Sequence, residues 1–407
     1  METNKNAKVS TFSQVLLWFG AAVSVAEILT GALIAPLGLS QGLLAIVIGH
    51  ILGAILLFLA GNIGAKSGLS AAFSARISFG KYGSFGFSIL NLLQLLGWTA
   101  IMITTAATAM QGITTQLWGF GSEALWCIVV GVLIIGWILL GNKSLLKLNT
   151  VVMLLLLVFS LILGFVVFSK SGQSTAIATE GMSFGAAVEL NVAMSLSWMP
   201  LISDYTRNLK KPASGTIGSV ASYFIGSVLM YVIGLGAALY AGTSDISGIL
   251  LSAGLGIVAL VIVVLSTVTT TFLDVYSAGV SAVNLHKKAN EKISAITACI
   301  LGTLLAIFVS MSQYESFLYL IGSAFAPLFA ILFVDYYIAG RQTVTPNALL
   351  NLKNIVLWGI GFVGYRLLMP YATVIGITLP VIAAIGLLCA LTNLRKENGK
   401  WTFRKRT

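Results

Sequence analysis

Apolar runs of about twenty residues dominate the chain, separated by short polar stretches. A run of about 20 apolar residues carries an α-helix across the hydrocarbon core of a bilayer. Taken in order, the runs predict twelve spans, at roughly 14–37, 41–63, 83–114, 123–141, 147–169, 182–206, 214–241, 248–284, 293–310, 315–339, 354–369 and 372–392. The longest leave room for tilt or for a short turn outside the membrane.

Two runs break the pattern. The first apolar segment, Val15–Leu37, holds Glu27 and no basic residue to pair with it. A carboxylate at membrane depth costs roughly 2.5–3.5 kcal/mol on insertion scales. It persists where it faces a cavity, binds something or carries a proton. A neutral carboxyl hydrogen-bonded between helices is the alternative. Around it, Gly20–Gly31 is rich in small residues that let backbones approach. The sixth run carries Glu189, Asn191, Ser195, Ser197, Trp198, Pro200, Ser203 and Asp204. Pro200 lacks a backbone donor and kinks or breaks a helix. The two runs enter the membrane from opposite sides. Interrupted segments at matching places in two five-helix halves point to an inverted repeat with a binding site between them; two unrelated kinked helices are the alternative.

Composition agrees with membrane residence. Hydrophobic residues make up 58% of the chain and charged residues 9%, where soluble domains carry about 25% charge. The first run is too long for the apolar core of a signal peptide and shows no small-residue cleavage site, so it is expected to be retained. The net charge of +11 is distributed as a topology signal. With the amino terminus inside, Lys5, Lys8, Lys66, Arg76, Lys81, Lys143, Lys147, Arg207, Lys210, Lys211, Lys287, Lys288, Lys292, Arg341, Lys353 and the basic tail from Arg395 all fall inside. Only Lys170 and Arg366 fall outside. The positive-inside rule then places both termini in the cytoplasm of a cell (inner) membrane protein with an even number of spans. Nucleic acid is not an expected partner; the lipid bilayer is. Nothing in the pattern specifies an oligomeric state. Cys127, Cys299 and Cys389 lie apart in apolar runs and suggest neither a disulfide framework nor a metal site.

The remaining polar residues cluster. The eighth run contains Ser266, Thr267, Thr269, Thr270, Thr271 and Asp274 within a few turns. Hydroxyls in membrane helices often bond back to their own backbone, but so dense a set, beside the free carbonyls of an unwound helix, suits a small hard cation. In the third run Gln94 and Trp98 are i,i+4 and share a helix face. An indole beside an amide suits a flat heterocycle, and Trp198 offers a second ring. A packed structural tryptophan is the competing reading. His50 is a lone histidine on an apolar helix, which fits a satisfied packing role; a proton relay is the alternative. Asp204 is expected to pair locally with Arg207, and Asp335 with Arg341. No nucleophile–histidine–acid set, phosphate loop or Cys/His ligand pattern argues for an enzyme. An ion channel would need a continuous polar pore, which isolated clusters do not supply.

These residues carry a resemblance. The stretch Ile63–Ser84, Gly97-Trp98, Asp204-Tyr205-Thr206-Arg207, Thr269-Thr270 and Tyr276-Ser277-Ala278-Gly279 resemble the corresponding segments of the nucleobase–cation symporter family over essentially the whole chain. The Gly20–Gly31 segment and the run from Ser197 to Tyr205 look most like hydroxymethylpyrimidine transporters, relatives of cytosine permeases that feed thiamine synthesis. The resemblance implies an all-α integral membrane protein with twelve transmembrane helices: a leucine-transporter-type 5+5 inverted repeat plus two C-terminal helices. Residues 1–170 would form the first repeat, 171–341 the inverted second, and 342–407 the last two spans and a basic cytoplasmic tail. It implies a secondary transporter importing a planar aminopyrimidine by sodium-coupled symport with alternating access, a proton being the alternative coupling ion, and no other cofactor. A permease for cytosine, another nucleobase or a hydantoin-like ring is the alternative substrate reading. The family's sodium ligands fall on the backbone carbonyls of Gly20 and Val23 and the hydroxyls of Thr269 and Thr270. Its stacking tryptophan falls on Trp98. The expected substrate set is Trp98, Gln94, Glu27, Trp198, Ser197 and Ser266. The sequence departs from cytosine permeases where Ser195 takes the place of a span 6 aromatic and Ser266 that of a span 8 asparagine.

Overall fold

The computed structural model describes residues 8–140, 142–169, 181–241, 256–308, 313–371, 373–397 and 400–403. Lys5, Lys170, the start of the eighth expected span (248–255), the end of the ninth (309–310), residues 141 and 372, and the basic residues at 404–406 lie outside the described residues.

The regular elements of the described chain are helices and one short hairpin. In order run α1 (Thr11–Ala22), α2 (Val25–Leu33), α3 (Gly38–Ser67), α4 (Ala71–Ser74), α5 (Arg76–Trp118), α6 (Glu123–Leu140), α7 (Asn142–Ser169), α8 (Phe184–Ser197), α9 (Met199–Thr206), α10 (Pro212–Ala241), α11 (Gly256–Leu285), α12 (Glu291–Ala306), α13 (Tyr314–Phe333), α14 (Leu352–Leu368) and α15 (Thr378–Asn393). Among the described residues, eight helical stretches are long and apolar enough to cross a membrane. Thr11–Ala22, Leu154–Val166 and Thr378–Asn393 are apolar but shorter. The expected first span falls short for a physical reason: it is split into two helices, neither long enough alone.

Both expected interruptions are present. α1 stops at Ala22, Val23 and Ser24 leave helical geometry, and the Ser24 hydroxyl accepts the Glu27 N–H to cap α2. Ser24 and Glu27 stand in the spacing of a capping box, in which the glutamate turns back to the cap. Here it does not; its carboxylate points away to α10. In the sixth span α8 ends at Ser197 and α9 begins at Met199, with Pro200 in the first turn. A proline there loses no helical hydrogen bond, because first-turn donors have no intrahelical partner. Pro200 therefore opens the second half-helix rather than bending a continuous one.

The broken helices are held by long neighbours. α1 and α2 pack along α10, α8 and α9 along α3, and α5 along α11. The α2–α10 contact is especially close. A Cβ added at Gly31 would lie 2.2 Å from the Tyr231 carbonyl oxygen, and one at Gly234 2.0 Å from that of Ile28. Only glycines permit this approach, and it brings Glu27 within reach of the α10 hydroxyls.

Three local expectations are refined. The segment between the second and third spans is largely helical, ending α3 at Gly68 and turning through α4 into α5, with a kink at Gly80 (φ 75°). Asp204 forms no close ion pair with Arg207; it accepts the Ala71 N–H at 3.0 Å and so ties α9 to α4. Asp335 does pair with Arg341. After α15 the chain forms an antiparallel hairpin, Leu394–Glu397 with Lys400–Phe403, which the helical reading did not include.

Candidate functional site

The two helix breaks face α5 and α11 across a small cavity. Its wall comprises Ala21, Ser24, Ala26 and Glu27 from the first break, Met194, Ser197 and Trp198 from the second, Trp98 and Met102 from α5, and Thr270 and Asp274 from α11. The space open to the centre of a water molecule is about 20 Å³, room for one or two waters. Trp98 and Trp198 are each 6% exposed and Glu27 2%. The side chains that wall it are buried.

The aromatic walls are braced differently. Trp98 packs edge-on against Phe317 and Tyr314 of α13, at 5.6 and 6.0 Å between centroids. Trp198 packs edge-on against Trp18 and Tyr223. Trp18 is fully buried, and its indole N–H donates to Gln14, whose amide donates to the Tyr205 carbonyl. The sequence reading gave Trp18 no role. The Trp98 indole nitrogen is buried with no hydrogen-bond partner. Gln94, one turn away, donates to Asn91 and to the Ser197 carbonyl, both at 3.0 Å, while its own carbonyl oxygen is unpartnered. Gln94 thus ties α5 to the second break, and it lies beside the cavity rather than on its wall. The Ser197 hydroxyl reaches the wall but turns back to the Met194 carbonyl.

Glu27 is held by α10. Its Oε1 accepts the Tyr223 hydroxyl at 2.9 Å and its Oε2 lies 2.6 Å from the Ser227 hydroxyl. Opposite, Asp274 is 4% exposed, and no hydrogen bond to it is formed among the described residues. Ser266, Thr270 and Asp274 follow at i, i+4, i+8, a stripe along α11 facing the first break. Asp274 stood in the polar cluster but not in the expected site; this spacing was the signal that places it. No lysine or arginine lines the cavity.

Of the expected sodium residues, Thr270 meets Gly20 at the first break, Val23 is met by Ser266, and Thr269 does not reach the break. The Ser266 hydroxyl donates to the Val23 carbonyl at 2.8 Å, and that of Thr270 to the Gly20 carbonyl at 3.4 Å. Ser266 therefore engages the break and is not on the cavity wall. Thr269 turns back to the carbonyls of Leu265 and Ser266. Carbonyls freed by an unwound turn, with hydroxyls across from them, form the hard-oxygen donor set that suits a small cation.

The other intramembrane acid has a different setting. Glu189 accepts from the Tyr365 hydroxyl, the Thr378 hydroxyl and the backbone N–H groups of Ile377 and Thr378, at 2.6–2.9 Å. It clamps α8 to α14 and to the start of α15, away from the cavity.

A two-carboxyl pocket between two broken helices, inside a helical bundle, is the arrangement of a binding site in a membrane transporter. The comparisons name the family. A family model described as "permease for cytosine/purines, uracil, thiamine, allantoin" matches residues 3–385, and the chain belongs to that family. It is 26% identical over 347 residues to the cytosine permease of Escherichia coli (strain K12), spanning 82% of this chain and 76% of that one. It is 24% identical over 415 residues to the hydantoin permease of Microbacterium maritypicum, spanning 94% and 84%. Among solved structures, the fold is similar to Mhp1, a nucleobase-cation-symport-1 family transporter, in a closed conformation with bromovinylhydantoin bound: TM-score 0.79, 21% identity, 95% of this chain and 92% of that one. A Na+-coupled sialic acid symporter follows the same fold at TM-score 0.67 and 14% identity, over 95% and 90%. These relatives are permeases and transporters, not enzymes.

Proposed function

We propose that this chain imports a planar aminopyrimidine, hydroxymethylpyrimidine, by sodium-coupled symport across the inner membrane, with both termini cytoplasmic. Residues 1–170 and 171–341 act as the two inverted repeats, and 342–407 supply the last two spans and the tail. The observation that supports the substrate class is the pairing of two indoles, Trp98 and Trp198, with two carboxyls, Glu27 and Asp274, on a wall without a basic side chain. A ring stacked on the indoles presents a donor to the carboxyls: its exocyclic amino group donates to a carboxylate in a charge-assisted contact. An oxo-pyrimidine edge sets a carbonyl against a carboxylate and leaves buried groups unpaired, the kind of mismatch that discriminates strongly. Sodium is assigned to the Gly20 and Val23 carbonyls with Thr269 and Thr270. Gln94 ties α5, which carries Trp98, to the second break.

A second reading has its own support. The similar proteins are named for cytosine and hydantoin, so a permease for one of those rings, coupled to sodium or protons, is the competitor. Thermal-shift titrations of the purified protein with hydroxymethylpyrimidine, cytosine, uracil and hydantoin, with and without sodium, separate the two. The proposal requires the tightest binding for hydroxymethylpyrimidine, and a smaller gap between amino and oxo rings in Glu27→Gln. A ranking led by hydantoin or cytosine, or left unaltered in Glu27→Gln, overturns it.

A further inference from the structure

Glu27 does not stand alone. Its Oε2 is 2.6 Å from the Ser227 hydroxyl, which is 2.6 Å from His50 Nε2. On the far side of the ring, His50 Nδ1 is 2.8 Å from the Ile46 carbonyl. These are facing side chains of α2, α10 and α3, three elements that the sequence gives no reason to join at this point.

Counting hydrogens along the chain settles how many protons it carries. A carbonyl only accepts, so His50 Nδ1 holds a hydrogen at all times. The Tyr223 hydroxyl donates to Oε1, which leaves Oε2 as the oxygen that loses or keeps a proton. Two short gaps remain, Oε2 to Ser227 and Ser227 to Nε2, and each needs one hydrogen. Ser227 has one to give. The other comes from Glu27 or from His50. With the proton on Glu27, the carboxyl donates to Ser227, Ser227 donates to a neutral imidazole, and no charge is present. With the proton on His50, the imidazolium donates to Ser227 and Ser227 donates to a carboxylate. The two arrangements interconvert by two hops along the same bonds, with nothing gained from or lost to solvent. His50 and Ser227 are 1% and 0% exposed. The other ionisable groups around the chain are Tyr223 and Tyr231 of α10, Tyr314 of α13, which is hydrogen-bonded to Thr30, and Asp274 of α11; none is basic.

We infer that His50 is a specificity-determining positioning residue of this site: through Ser227 it takes the Glu27 proton when a ring amino group arrives to donate to the carboxylate, and returns it when the ring leaves. The inference rests on the reading of Glu27 as the group that recognises an aminopyrimidine. It explains how a carboxyl is kept uncharged in a buried site and still presents a full negative charge to an amino edge. The cost of creating that charge at membrane depth is offset because the counter-charge forms two hydrogen bonds away. A carbonyl edge gives no reason for the proton to move, so the chain stays neutral and the contact stays weak.

The chain has two histidines, so a His286→Gln background leaves His50 as the single imidazole for nitrogen-15 NMR. Without ligand, Nδ1 carries hydrogen and Nε2 does not. Addition of hydroxymethylpyrimidine protonates Nε2, and isothermal titration in two buffers of different ionisation enthalpy shows no net proton exchange. In His50→Gln the same ligand binds tenfold or more weakly or releases about one proton to buffer, while uracil binding is unchanged. In Glu27→Gln the amide donates to Ser227 as the protonated carboxyl does but has no proton to give, so ligand no longer protonates Nε2; a packing histidine would respond to ligand alike in both proteins. An Nε2 resonance that ligand leaves unaltered in the wild type, or alters equally in Glu27→Gln, overturns the inference, as does a His50→Gln variant with wild-type affinity and no proton release. The two readings fail separately: if hydroxymethylpyrimidine does not bind, the substrate assignment falls, while the Nε2 response to cytosine, which also carries an amino group, still decides whether the chain is coupled.

Discussion

At the scale of single residues, the site divides into side chains that are spent on the fold and side chains that are not. Ser197, Ser266 and Thr269 direct their hydroxyls to carbonyls. The Trp98 indole N–H and the Gln94 carbonyl oxygen are buried without partners, and buried polar atoms are normally paired. Atoms unpartnered among the described residues and lying beside a cavity are free to bond a ligand. Trp98→Ala is therefore expected to weaken ring binding about tenfold or more, since stacking on an aromatic is worth roughly 1–3 kcal/mol per base. Equilibrium binding of the preferred ring to the variant, with circular dichroism to confirm folding, checks this; unchanged affinity returns Trp98 to a packing role. Glu27, Trp98 and Trp198 were legible in the sequence because a lone acid and mid-span indoles conflict with their surroundings. Trp18, Tyr223 and Ser227 were not, because a tryptophan, a tyrosine and a serine in apolar runs conflict with nothing until tertiary packing aims them.

At the scale of elements, the chain marks its breaks in residues but not their mechanics. Gly20–Gly31 and Pro200 flagged the right places. The pattern could not show that Ser24 caps a new helix or that Pro200 opens one, since both depend on dihedral angles at one or two positions. Glu189 shows the reverse case. It has the same sequence signature as Glu27, an acid in an apolar run, yet four donors of α14 and the start of α15 surround it. Its partners lie about 180 residues away along the chain, and no local pattern encodes them. Glu189→Gln replaces one acceptor with a donor amid donors, which leaves buried groups unpaired at a cost of roughly 1–3 kcal/mol. The variant should melt at a lower temperature in detergent and retain the wild-type order of ligand affinities. A changed order with an unchanged melting point would move Glu189 into the binding machinery.

At the scale of the whole molecule, the first break is shared property. Gly20 and Val23 lend carbonyls to α11 hydroxyls in the same few ångströms where α2 presents Glu27 to the cavity. A cation at that junction and a ring in the cavity would favour one packing of the bundle, and two ligands that favour one state raise each other's affinity by the same factor. Sodium should then raise ring affinity in the wild type, and Thr269→Val with Thr270→Val should remove the dependence. Binding isotherms across a sodium series read this directly; ring binding that follows pH and ignores sodium transfers the coupling role to protons.

The small cavity has a further consequence, for osmosis. With room for only one or two waters, the cavity among the described residues is too narrow to pass a file of water between the two breaks. If no wider path runs elsewhere through the bundle, many copies could sit in a membrane without raising its hydraulic conductivity. Proteoliposomes containing the protein should then shrink under a sucrose step at the rate of protein-free vesicles, as measured by stopped-flow light scattering; faster shrinkage would place a water path outside this cavity.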